Sequence, residues 1–282
     1  MTGNPTPTER WQRIAASPDN RIDLAEGALV IAADEYRDLD VDAYLGRIDE
    51  LAARLHRRLR TDIPPTETII ALNRYLFEEL GFSGNTAEYY DPRNSFLNEV
   101  IDRKLGIPIT LSVVYMEIGR RVGLALDGVS FPGHFLVKCA VRDGTIVLDP
   151  YAGGVSLSLE ELQQRIGTLQ NGVEPPADTV KSMIVAAGKK DILARMLRNL
   201  KGIYLQHNEM RKALSAADRI IAIAPDATDE YRDRGQIYLG LECFRAALAD
   251  LRHYLALGPD TDDAAAVRRQ VAELQQVAAR LH

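Results

Sequence analysis

The last third of the chain repeats itself. Ile203-Tyr204-Leu205 returns as Ile237-Tyr238-Leu239, 34 residues further on. At the same offset Ala213-Leu214 returns as Ala247-Leu248, Ile221 as Leu255, and Pro225-Asp226 as Pro259-Asp260. Self-similarity at one period of this length limits the fold severely. Each unit must be a supersecondary element that buries its apolar face by stacking on its neighbour. Within each unit the apolar spacing is helical, and Pro follows the second helix. The spacing predicts two antiparallel helix pairs from Arg195 to Pro259. Tyr204 and Tyr238 would be packed equivalently, with Ala213 and Ala247 at helix contacts. Two units are fewer than the roughly three such arrays usually need. Asp178 to Ile192 is therefore expected to pack beneath them, and Thr261 to Leu281 to cap them.

The first third also reads as helices. Val41, Tyr44, Leu45, Ile48, Leu51, Leu55 and Leu59 fall at helical spacing, with Asp40 placed to cap the start. A second apolar stripe runs from Ile22 to Tyr36, and a helix from Thr66 stops at Gly81. Asp38, Asp40 and Asp42 do not make a calcium loop, because Ala43 stands where glycine is needed and Leu39 and Val41 separate the acids. Arg54, Arg57, Arg58 and Arg60 read as a solvated helix end.

The middle third changes period. Ser95 to Lys104 reads as a short helix, and a strongly apolar helix opens at Pro108, which suits a first turn, and ends near Gly123. Leu126 to Phe131, Phe135 to Val141 and Thr145 to Leu148 then alternate as strands, with Asp143-Gly144 as a hairpin turn. The whole is an α+β pattern followed by an all-α repeat.

Composition narrows the functional classes. The 282 residues are 46% hydrophobic, enough for about two domains, and carry a formal charge of −6. That charge argues against nucleic-acid binding, which needs clustered Lys and Arg. No apolar run approaches the ~20 residues needed to cross a bilayer. The polar, Pro-containing start does not resemble a signal peptide. Cys139 and Cys243 form neither a disulfide framework nor a zinc pattern. The chain reads as cytoplasmic, without cofactor, metal or membrane contact, and its oligomeric state is left open.

One constellation carries chemistry. Phe131-Pro132-Gly133-His134-Phe135 puts a histidine at a strand start, and Leu148-Asp149-Pro150 ends the partner strand. Pairing through Asp143-Gly144 brings His134 and Asp149 to one edge, where a carboxylate fixes an imidazole tautomer as in nucleophilic triads. A buried hydrogen bond that only fastens the hairpin is the alternative reading.

These residues resemble known families. The 34-residue period resembles a tetratricopeptide repeat. The apolar helix, Gly-His-Phe strand opening and Leu-Asp-Pro resemble the transglutaminase-like core of the papain-related superfamily. Asn94-Ser95-Phe96-Leu97-Asn98, Gly106-Ile107-Pro108-Ile109-Thr110-Leu111-Ser112, Phe131 to Phe135 and Leu148 to Pro150 together resemble the bacterial SirB family. That family joins a transglutaminase-like domain to tetratricopeptide-like repeats, and the resemblance runs from about Asp19 to Pro259. It implies a papain-like fold with a small antiparallel sheet, the His–Asp placement, and a bacterial regulatory role. Active members open the helix before the His strand with a Cys, whose pKa the helix N-terminus lowers. Laid on that pattern, this sequence has Pro108 there. Thr110 and Ser112, two and four residues on, are expected to point in other directions. Cys139, five residues past His134 along a strand, falls on the opposite face. Ser95 is left as an alternative hydroxyl that could approach from elsewhere in the fold.

Three functions remain open. The first is a pseudoenzyme with a vestigial His134–Asp149 pair, binding a protein or peptide partner through its core pocket and repeats. The second is an amide hydrolase or acyl transferase using Ser95, Thr110 or Ser112. The third is an adaptor acting through its repeats alone. The domains are read as a flexible terminus at 1–18, a transglutaminase-like domain at 19–177 and a repeat domain at 178–282.

Overall fold

The computed structural model describes residues 5–258 and 263–280, with side chains up to residue 275. Contacts divide it into two units: residues up to Arg10 with Ser17–Met196, and Trp11–Ala16 with the residues from Leu197 onward. A first helix α1 (Pro7–Ala16) is followed by α2 (Leu24–Ala32), α3 (Val41–His56) and α4 (Pro65–Asn73). Asp23 caps α2 by accepting from the Glu26 amide at 3.0 Å, and Asp40 caps α3 by accepting from the Ala43 amide at 3.0 Å. Asp42 pairs with buried Arg10 at 2.6 Å, so the alternating acids serve a cap and an ion pair. One turn of π-helix, Arg74–Glu79, extends α4, and the chain reverses at Gly81 with φ of +76°.

Two short strands, β1 (Ser83–Gly84) and β2 (Leu105–Gly106), pair in parallel on either side of α5 (Leu97–Arg103). The central helix α6 (Pro108–Arg121) follows directly, and every residue from Pro108 to Gly119 is buried. Pro108 is its first residue, where a missing amide proton costs nothing. The sheet is an antiparallel meander of β3 (Leu126–Val129), β4 (Leu136–Val141), β5 (Gly144–Asp149) and β6 (Val155–Leu157). The β4–β5 pairing sets Val141 opposite Gly144, so the turn residues are Arg142 and Asp143, one position earlier than the sequence indicates. Gly144 opens β5 with φ of +147°. No sequence signal was read for β6 or for the next helix, α7 (Leu159–Leu169), which Ser158 caps through the Glu161 amide at 3.2 Å.

The following helix, α8 (Ala177–Met183), corrects one expectation. Its Val180 is fully buried with Val129, Phe131, Leu136 and Val147 of the sheet side. Contacts group Asp178 to Ile192 with the first unit and not with the repeat. Its apolar residues complete the core of the first unit, which the meander alone leaves open.

The second unit repeats in three dimensions. It takes the C-terminal part of α9 (Lys189–Gln206), then α10 (Met210–Ile223), α11 (Thr228–Gly240) and α12 (Phe244–Ala256). The turns of its two repeats are equivalent at the 34-residue offset. Asn208 and Glu242 have φ of +58° and +57°. The Glu209 amide donates to Tyr204 and the Cys243 amide to Tyr238, each at 2.8 Å. Ala213 and Ala247 are fully buried, Tyr204 is buried and Tyr238 half-buried. A last helix, α13 (Ala264–Arg280), packs Val267, Val271 and Leu274 against Leu251 and Tyr254. Thr261 and Leu281, the limits expected for it, lie outside the described residues, as do Pro259 and Asp260. Among the described residues no helix is long and apolar enough to cross a membrane.

Candidate functional site

Two local turns build the site. Before β4 the chain reverses through Pro132-Gly133, with Gly133 at φ of +65° and the His134 amide donating to Phe131 at 3.1 Å. His134 thus sits in the turn that enters β4, not on the strand. At the far end of β5, Asp149 starts a 3-10 turn, Pro150–Ala152, and its Oδ1 accepts from the Tyr151 and Ala152 amides at 3.1 and 3.3 Å. The register sets Val137 opposite Leu148, which brings the turn before β4 beside the end of β5. His134 Nε2 lies 2.9 Å from Asp149 Oδ1 as a result.

Asp149 is almost wholly buried and fully engaged. Its second oxygen accepts from Arg165 Nη1 on α7 at 2.7 Å. Burial by itself pushes the carboxyl pKa up, but the bonds from His134 and Arg165 outweigh it and hold Asp149 below the ordinary carboxylate range. The pair is therefore an ionised aspartate whose charge Arg165 also balances. With Nε2 donating, a neutral His134 presents Nδ1 as its remaining ring acceptor. The His134 carbonyl accepts from Arg195 Nη2 at 2.7 Å, and that guanidinium lies over the Phe135 ring.

Helix α6 borders the same region. The 150–152 turn packs on α6, and the Asn85 amide donates to Gly106, two residues before Pro108, at 3.0 Å. Tyr151 fills the space beside β1: its ring leaves no room for a Cβ on Gly84, which would stand 2.4 Å from it. The ring meets His134 edge-on at 5.9 Å.

The hydroxyl candidates are disposed differently. Thr110 Oγ1 donates to the Asn94 carbonyl at 2.7 Å and accepts from the Ile107 amide at 3.1 Å, so it closes the first turn of α6. Ser112 is corrected: at 3.6 residues per turn a four-residue step returns to the face of Pro108, one turn deeper. Its Oγ and that of Ser95 are buried without a hydrogen-bond partner. The side chain of His134 bonds to Asp149, and no bond joins it to Ser95, Thr110 or Ser112. Cys139 is fully buried in β4, opposite Leu126 and Ile146, and burial pushes its thiol pKa up. Sequence reasoning missed Arg165 and Tyr151. Tyr151 had a signal in its place two residues after Asp149, whereas Arg165 lies on a helix that was not read.

Two cavities of about 420 and 630 Å³ open beside β5 and β6, and neither is lined by His134 or Asp149. Among the described residues no group of three His, Cys, Asp or Glu is placed to hold a metal ion.

Comparison with known proteins places this architecture. Residues 42–198 match the transglutaminase-like superfamily, a span that contains Pro108, His134 and Asp149. The chain belongs to the transglutaminase-like superfamily. Residues 200–272 match the tetratricopeptide repeat, so a transglutaminase-like core is followed by tetratricopeptide helices. A UPF0162 protein of Xylella fastidiosa (strain Temecula1 / ATCC 700964) is 41% identical over 276 residues, covering 96% of this chain and 97% of that protein. A UPF0162 protein of Vibrio cholerae serotype O1 is 31% identical over 205 residues, 72% of this chain and 74% of the relative. F-box only protein 21 of Pongo abelii is 26% identical over 281 residues, 86% of this chain but 43% of that protein. No solved structure matches this transglutaminase-like chain.

Proposed function

We propose that the chain is a non-catalytic transglutaminase-like protein that binds protein or peptide partners through its core site and its tetratricopeptide helices. One observation carries the reading. The His134–Asp149 pair has no hydroxyl bonded to the imidazole, and α6, on which the 150–152 turn packs, opens with Pro108. On the resemblance to active members, Pro108 takes the nucleophile's place and offers neither thiol nor hydroxyl. Two further features support it. Thr110 has its proton engaged with Asn94, and Asp149 is bound by Arg165 as well as by His134. The tetratricopeptide helices fit a protein-interaction role, and the SirB resemblance adds regulation in a bacterial cell. The test is turnover of small amide and ester substrates by the unmodified chain and by His134→Ala. Equal trace rates are expected. A rate that falls with His134→Ala would promote the hydrolase reading instead.

A further inference from the structure

One cluster of charge runs against the acidity of the chain. Four of the residues 54–60 are arginines and none is Asp or Glu, in a chain of formal charge −6. Arg54 lies in the last turn of α3, where a cation offsets the helix dipole, and Arg57 ends that helix. Arg57, Arg58 and Arg60 are exposed, and among the described residues Arg57 and Arg60 have no ion-pair partner. Arg54 reaches only Glu50, at 3.7 Å. A single carboxylate, Glu79 of the π-helical turn, pairs with both Arg58 and Arg74. Guanidinium donors therefore outnumber the acceptors that face them.

A second feature stands in the same place. Tyr75 is 2% exposed, and its hydroxyl is buried without a hydrogen-bond partner. Buried polar groups avoid that state unless a water or a ligand completes them. The Arg58 guanidinium lies over the Tyr75 ring, 5.3 Å from its centroid. Burial raises the Tyr75 pKa, while Arg54, Arg58 and Arg57 pull it down and Glu79 pushes it up, so these four charges surround that hydroxyl. The helix dipole accounts for Arg54 and Arg57, but not for an orphaned tyrosine hydroxyl among arginines.

We infer that Arg54, Arg57, Arg58 and Arg60, with the Tyr75 hydroxyl, bind a phosphomonoester group, and that Glu79 occupies its place in the free protein. What the cluster lacks is a dense set of acceptors carrying more than one negative charge. A phosphomonoester supplies three strong acceptor oxygens and a charge of about −1.5 to −2 at neutral pH. Guanidinium forks match such oxygens in pairs, and the tyrosine proton takes one more. Glu79 offers Arg58 and Arg74 only a singly charged carboxylate, so a dianion outcompetes it. The Arg58 side chain is 55% exposed, and release from Glu79 lets it swing off the Tyr75 ring and open the hydroxyl to a ligand oxygen. Nucleic-acid phosphodiesters carry a single charge per group and need a longer basic track than this. Neither His134 nor Asp149 takes part, so the site stands whether or not the core is catalytic.

The test titrates the full chain by isothermal calorimetry at a pH above the second phosphate pKa of about 6. The probe is an acetylated, amidated glycine peptide with one central phosphoserine. Inorganic phosphate, the unphosphorylated peptide and octathymidylate serve as comparisons. Saturable binding of the phosphopeptide is expected, weakened roughly tenfold or more in Arg57→Ala/Arg60→Ala and severalfold in Tyr75→Phe. Glu79→Gln should bind severalfold tighter, because it removes the internal competitor. Circular dichroism spectra matching the parent would show that the variants fold. Inorganic phosphate binding as tightly as the phosphopeptide supports the site with a small phosphorylated ligand. Weaker binding of inorganic phosphate supports it with a phosphorylated segment of a partner. Absence of binding by either at millimolar concentration, equal affinity for the unphosphorylated peptide, or tighter binding of octathymidylate would overturn the inference. So would weaker binding in Glu79→Gln, or undiminished affinity in the folded double arginine variant or in Tyr75→Phe.

Discussion

Replacing Asp149 by Asn probes the physical heart of the site. The substitution keeps one acceptor oxygen, so the bonds from His134 Nε2 and from the Tyr151 and Ala152 amides survive in weakened form. What disappears is the charge and the bond from Arg165, because an amide NH2 now faces the guanidinium. A hydrogen bond to a charged group contributes about 1.5–3 kcal/mol. Arg165 is 35% exposed, so solvent screening reduces its share. With weaker capping of the 150–152 turn, the total loss is about 2 kcal/mol at neutral pH. The sign of the pH dependence follows from the lowered pKa of Asp149. An unfolded chain binds its proton first, so this stabilisation is fully present above the ordinary carboxylate value of about 4. It is lost as pH falls through the lower folded value. The gap between parent and variant should therefore be constant from pH 7 to about 5 and close on further acidification. Trp11 belongs to the second unit by its contacts, so its fluorescence is the wrong probe. Urea unfolding read by hydrogen exchange of the 145–157 segment reports on the correct unit. A gap that is absent at neutral pH, or that widens as pH falls, would refute the assignment of an ionised, Arg165-balanced aspartate.

Three further substitutions test the packing around this site and in the repeat. Gly84→Ala places a Cβ 2.4 Å from the Tyr151 ring. It should destabilise the first unit by about 1–3 kcal/mol and shift the Tyr151 ring resonances, and unchanged resonances would count against that contact. Ala247→Leu forces a larger side chain into a fully buried position of α12. It should cost about 1–3 kcal/mol in urea denaturation of the second unit, and the equivalent Ala213→Leu should behave alike; a neutral result would deny the equivalence of the two positions.

Much of this architecture is written in short-range patterns. The repeat was visible because its turns reuse the same geometry, down to matching positive φ at Asn208 and Glu242. Asp40, Pro108 and Gly81 were legible as helix punctuation because capping, a fixed φ and a positive φ are properties of single residues. The nearness of His134 to Asp149 followed from a hairpin with one short turn. Arg165 was not legible, because its position depends on how α7 folds back on the end of β5, and nothing local specifies that. Residues 178–192 were misplaced for a related reason. An apolar stripe says that a helix must be covered but not by which core, and Val180 chose the sheet cluster. The contact between Tyr89 and Tyr151 was equally hidden, since it depends on the turn after β5 packing beside β1.

The proposal that this site lacks a working nucleophile is tested most directly by intact-mass labelling with acyl-enzyme traps, followed by peptide mapping. Cys243 is exposed and should first be changed to Ser, so that its thiol does not supply a label of its own. Cys139 is buried with its thiol pKa pushed up, and should stay unlabelled in the folded chain. The non-catalytic account predicts no adduct on Ser95, Thr110 or Ser112, with or without His134→Ala. An adduct on one of those hydroxyls that disappears in His134→Ala would contradict it.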